Sequence, residues 1–188
     1  MKNSVTPYTE NLLDLFYRAL SDPDAEVQTN AAFASGLLVE HSEMDLAPQY
    51  GSLLQKYIEI FHVPEGSSDA RWSARDNAVG AVARLIARNT GALPLDQVLP
   101  TFFGALPLKH DFLENRPVFK AIFHLFATQP QVLSPYLDRL LGLFAFVLDP
   151  SGEDMVGDEI RAELIRLIAL INREEPVKVQ AAGLTVYL

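Results

Sequence analysis

No cysteine occurs among the 188 residues. That excludes disulfides, thiolate metal sites and a cysteine nucleophile, and it agrees with a reducing compartment. Basic side chains are scarce as well: 15 Lys and Arg stand against 24 Asp and Glu, a formal net charge of −9. Phosphate binding needs a basic footprint, so direct nucleic-acid binding is not expected, and a basic protein partner suits the charge better. No basic stretch precedes an apolar run at the start, and no uninterrupted apolar segment approaches the about 18 to 20 residues of a membrane span. A soluble chain without a membrane partner is therefore expected.

Signatures of chemistry are missing too. The four histidines (His41, His62, His110, His124) are scattered, with no H-E-x-x-H or similar metal spacing. His110 and Asp111 adjoin, but no G-x-S-x-G elbow exists to complete a triad with them. The glycines at 36, 80 and 91 lie outside any G-x-x-x-x-G-K-S/T run. The expectation is no enzyme, no cofactor and no metal.

What is present is helical periodicity. Long apolar segments recur at helical spacing, separated by proline, glycine and aspartate, and no two-residue hairpin signal interrupts them. The spacing predicts an all-α fold with helices near 7–20, 24–41, 46–61, 69–90, 95–106, 112–128, 132–148, 156–173 and 176–188. "NAAFASGLL" from Asn30 and "NAVGAVARLI" from Asn77 match in their small and apolar positions. Placing the later helices in the same phase brings Glu114 and Glu159 to the equivalent position.

The steps between these four residues bracket the ~40 to 47 residues of HEAT and armadillo units, helical pairs that cannot bury an apolar face alone. An α-solenoid of about four HEAT repeats follows, over 7–41, 46–90, 95–128 and 132–173, with a terminal helix at 176–188. The chain forms a single such segment, and "AAGLTVYL" stops within an apolar pattern, as expected of a piece of something longer.

The first helix of each pair is richer in large side chains and is assigned to the outer layer. The second helices then line the inner side. On "RWSARDNAVGAVARLIARN" (71–89), Ser73, Asn77, Gly80, Arg84 and Arg88 form the non-core face, with Asp76 on its border. One polar anchor per repeat, Asn30, Asn77, Glu114 and Glu159, is expected to run as a ladder across the groove. Amide side chains there suit the backbone of an extended peptide and carboxylates suit its lysines, with Gly80 allowing close approach. Trp72 is expected to cap the core or stack on a partner's cation, Phe33 and Leu37 to grip an apolar residue of a partner or pack on the next repeat, and the acid-rich 150–159 loop to be a solvated connector or a contact for a basic partner.

"EVQTNAAFASGLLVEH" (26–41), "RDNAVGAVARLIARN" (75–89) and "LPTFFGALPLKHDFLEN" (99–115), followed by "HLF" at 124–126, resemble the C-terminal HEAT repeats of the importin-4 subfamily of β-karyopherins. The resemblance covers most of residues 24–126. It implies a nuclear transport receptor that shuttles between cytoplasm and nucleus, carries ribosomal proteins and core histones, notably histones three and four, and meets nuclear pore proteins. It further implies lysine-rich import signals on an acidic inner surface, with one lysine site in these late repeats. Asn77 matches the family's asparagine after Arg-Asp. Glu114 and Asn115 match a step where relatives tend to have two acidic residues, and Asn115 departs from it. The family's Ran-binding surface belongs to N-terminal repeats that this stretch does not contain. A HEAT scaffold joining subunits of a larger assembly, without transport function, is the alternative reading.

Overall fold

The computed structural model describes residues 5–152 and 154–188. Among them there are nine α-helices and no strands: α1 (Thr9–Ala19), α2 (Ala25–His41), α3 (Tyr50–Phe61), α4 (Asp69–Arg88), α5 (Leu95–Gly104), α6 (Asn115–Thr128), α7 (Leu137–Leu148), α8 (Gly157–Glu174) and α9 (Pro176–Ala181). The fold is all-α and of the HEAT class. The chain divides into two compact units, one running to Ala121 and the other from Ile122, with the boundary inside α6.

Local chemistry sets the helix limits. Asp24 caps α2 by accepting the Glu26 N–H at 2.8 Å. Residues 112–114 and Pro130–Tyr136 form 3-10 turns ahead of α6 and α7, where continuous helix was expected. Pro135 accounts for the second, because its ring removes a donor and biases the preceding residue away from the α conformation. The terminal helix expected to reach 188 ends at Ala181, where Gly183 takes φ 72 and a 3-10 turn follows.

In the first unit α4 is the central rod. Residues 74–86 are all buried, so α4 has no free face over more than three turns. It packs on α2 at very short range: a Cβ on Gly36 would lie 3.1 Å from the Ala81 Cα and 3.2 Å from the Arg84 Cδ. Tyr57 of α3 is fully buried and donates its hydroxyl to Ser35 Oγ at 2.8 Å, and burial pushes that phenol's pKa upward. Phe102 and Phe103 of α5 pack with ring centroids 5.3 Å apart. Each fully buried large side chain of this kind contributes about 1.5 to 3 kcal/mol.

In the second unit, Leu140, Leu141, Phe144, Val147 and Leu148 of α7 are buried alongside Ile160, Leu164 and Ile168 of α8. Tyr187 donates to the Leu148 carbonyl at 2.7 Å, and Lys178 of α9 meets Asp138 of α7 at 3.2 Å. The stretch Pro130–Leu148 has the length and apolar composition to cross a membrane, with mean hydropathy 1.3. Asp138 and Arg139 interrupt its apolar run. Its apolar residues supply the core of this unit.

Candidate functional site

The polar residues of α4 are not aimed at solvent. Asp76 is fully buried; its Oδ2 accepts three backbone N–H groups, those of Lys109 at 2.7 Å, His110 at 2.7 Å and Asp111 at 3.1 Å. Its Oδ1 takes a hydrogen bond from Arg75 at 3.1 Å, and Arg75 also donates to the Ala105 carbonyl. Asp76 thus staples the loop after α5 onto α4, and its charge is met by donors on every side. Asn77, 2% exposed, donates through Nδ2 to the Ser73 carbonyl at 2.9 Å and to Asp111 Oδ2 at 2.8 Å.

About two turns further on, Arg84 ties α4 to α2 and to the 3-10 turn ahead of α6. Its Nη1 and Nη2 reach the two carboxylate oxygens of Glu114 at 2.5 and 3.1 Å, and its Nε reaches Glu40 of α2 at 3.1 Å. Its guanidinium lies over Phe33, 5.6 Å from the ring centroid. Burial lowers the Arg84 pKa, but the hydrogen bonds and charges of Glu114 and Glu40 carry it above its ordinary value. Burial raises the Glu114 carboxyl, with Arg84 pulling it back.

Gly80 makes this pairing possible. A Cβ built there would lie 1.6 Å from Glu114 Oε2. The glycine expected to admit a cargo chain therefore admits a carboxylate of its own fold.

The expected ladder is corrected accordingly. Asn77, Asp76, Glu114 and Asn115 are all buried, 0 to 3% exposed, and none is free of internal partners. Asn30 is exposed, but its amide bonds back to the Glu26 carbonyl at 2.9 Å. Glu159 lies exposed in the first turn of α8, in the second unit. These residues do not form one solvent-facing row. Trp72 is half-buried beneath Arg75 of its own helix, at 5.5 Å. In the 150–159 loop, Asp154 accepts the Gly157 N–H at 3.0 Å, a backbone bond that lowers its carboxyl pKa; Glu153 lies outside the described residues.

Two grooves were not visible in the sequence. In the first unit, a cavity of about 500 Å³ opens between the ends of α2 and α4 and the start of α6, and it is lined by Arg84, Arg88, Arg116 and Lys120 with Glu40 as its only carboxylate. In the second unit, a cleft of about 790 Å³ is lined by Phe123, Phe126, Leu167 and Leu170 together with Glu163, Glu174 and Glu175, with Arg166 and Arg173 among them. Among the described residues no group of three or more His, Asp or Glu is placed to hold a metal ion. The chemistry on offer is recognition by charge and apolar contact.

Helical pairs packed and tied in this way define a HEAT-repeat protein. No family model matches the sequence. The chain is 40% identical over 168 residues to the probable importin subunit beta-4 of Schizosaccharomyces pombe, which covers 89% of this chain and 15% of that protein. Human importin-4 is 25% identical over 175 residues, covering 93% of the chain and 15% of the relative, and mouse importin-4 is 23% identical over 167 residues, with 89% and 15% covered. The chain is an importin-4-like segment of the β-karyopherin family. It spans about a seventh of the length of these relatives.

Proposed function

We propose that the chain is a cargo-binding segment of a nuclear import receptor, taking lysine-rich import signals such as those of histones and ribosomal proteins. The observation that carries this reading is the cleft of the second unit. A lysine can lay its aliphatic stem along Phe123, Phe126 and Leu170, the last 56% exposed, while its ammonium meets Glu163 or Glu174 of the same cleft. The net charge of −9 favours encounter with a basic partner. Engagement of Ran and of nuclear pore proteins, and shuttling between cytoplasm and nucleus, belong on this reading to the longer receptor. Each exposed ion pair contributes only ~0.2 to 1 kcal/mol, so useful affinity needs several lysines or a second site elsewhere.

The test is a titration of the 188-residue chain with a labelled histone-tail peptide and its lysine-to-alanine version, at low and physiological salt. Salt-weakened preference for the lysine peptide, lost in Glu163→Lys/Glu174→Lys, is the expected result. Equal or absent binding of the two peptides refutes the cargo reading and favours a scaffold.

A further inference from the structure

Within a chain of net charge −9, the first unit concentrates cations at one groove. Four of the 15 Lys and Arg side chains line it against a single carboxylate, Glu40. That carboxylate is already bonded to Arg84, and Arg84 is matched from behind by Glu114. Beyond this internal cluster, Arg88 and Lys120 make no ion pair with a described residue. Arg88 is exposed and its Nη2 donates to the Ser42 carbonyl at 3.1 Å, a neutral acceptor. Lys120 is exposed on α6 and makes no hydrogen bond or ion pair with any described residue.

Two other cations of the first unit are each met by a carboxylate: Arg75 sits against Asp76, and Lys56 pairs with Glu59 on its own helix. The groove also has an apolar side, formed by Leu37, Ala87 and Pro117.

We propose that this groove binds an acidic, extended peptide segment of a protein partner, with Arg88, Lys120 and Arg116 meeting its carboxylates and the Leu37 side meeting an apolar residue between them. Guanidinium and ammonium donors on carboxylates form charge-assisted hydrogen bonds, bidentate for arginine. The favoured partner is a protein and not a nucleic acid. The acidic chain repels a long polyanion, and an apolar wall with one carboxylate suits a mixed peptide better than a phosphate backbone. This site is separate from the cleft offered above for lysine-rich cargo and takes the opposite charge, so the two fail independently.

The experiment is fluorescence anisotropy on the 188-residue chain with three labelled probes: a twelve-residue peptide rich in Asp and Glu with one central leucine, the same peptide with Asn and Gln in their place, and a single-stranded oligothymidine of matching charge. The acidic peptide is expected to bind about tenfold or more tighter than the amide peptide, and to weaken with salt, because several charge pairs act together. Arg88→Glu/Lys120→Glu is expected to weaken it about tenfold, and Lys120→Glu alone, at a residue free of internal bonds, about threefold, with helicity by circular dichroism unchanged. Equal binding of acidic and amide peptides, no effect of Lys120→Glu, tighter binding of the oligothymidine, or no binding at millimolar peptide would each overturn the proposal.

Discussion

Gly80→Ala is the most informative single substitution. At an ordinary helical position alanine is favoured over glycine by about 0.8 to 1 kcal/mol. Here the new Cβ would stand 1.6 Å from Glu114 Oε2, 2.6 Å from its Cδ and 3.1 Å from Arg84 Nη1. The carboxylate must leave, and the Arg84 guanidinium, itself buried, keeps only Glu40. Removing one partner from a buried ion pair costs about 3 to 5 kcal/mol, so after the propensity gain the net loss is about 2 to 4 kcal/mol. At about 2 to 4 °C per kcal/mol for a chain of this size, the thermal midpoint falls by roughly 4 to 16 °C.

Thermal denaturation followed at 222 nm measures it, with Gly142→Ala in α7 as the comparison. A Cβ at Gly142 meets nothing within 4 Å, so that variant is expected to be unchanged or slightly more stable. A second control removes the carboxylate first: in a Glu114→Ala background, Gly80→Ala costs far less, because its clash partner is gone. A Gly80→Ala protein as stable as the parent would refute the close approach of Glu114 to α4.

Other expectations concern the same seam. Asp76→Ala strips the acceptor from three backbone N–H groups and is expected to cost at least about 3 kcal/mol in urea unfolding, since each bond to a charged group contributes about 1.5 to 3 kcal/mol; a loss under 1 kcal/mol contradicts the staple. Tyr57→Phe removes one buried hydroxyl whose partner Ser35 keeps its own bond to the Ala31 carbonyl at 2.6 Å, so the expected loss is only about 0.5 to 1.5 kcal/mol by the same measurement. Gly36→Val pushes a branched side chain into the space of Ala81, where even a Cβ sits at 3.1 Å; a loss of about 1 to 3 kcal/mol is expected from overpacking, and a neutral result would mean that α2 and α4 part easily.

Helical periodicity made the elements legible, because apolar spacing and the Asp, Gly and Pro punctuation act locally. The 3-10 turns before α6 and α7 and the early end of α9 depend on finer features, Pro135 and Gly183, that a periodicity reading passes over. The site was far less legible. A phase argument assumes that a helix with polar residues on one side shows that side to water. On α4, Asp76, Asn77 and Arg84 occupy such a side, and the loop at 107–111, Glu114 and Glu40 close over it.

A signal for that closure was present in Ala74, Ala78, Gly80, Ala81 and Ala83, small residues that let neighbours approach from every direction. The basic groove was harder to see. Arg88, Arg116 and Lys120 come from two different helices, so only the packing of α2, α4 and α6 brings them to one place.

The burial of α4 on all sides also explains why a stretch can be so recognisable and yet say so little about cargo. A helix walled in over residues 74–86 has few acceptable spellings, since each position must match a neighbour in volume or in hydrogen bonding. Its sequence therefore reports descent. Exposed positions such as Lys120 and Glu163 are under no such packing constraint and can change with the partner. Two chains that share the wording of α4 can still differ at the exposed positions that a partner would meet.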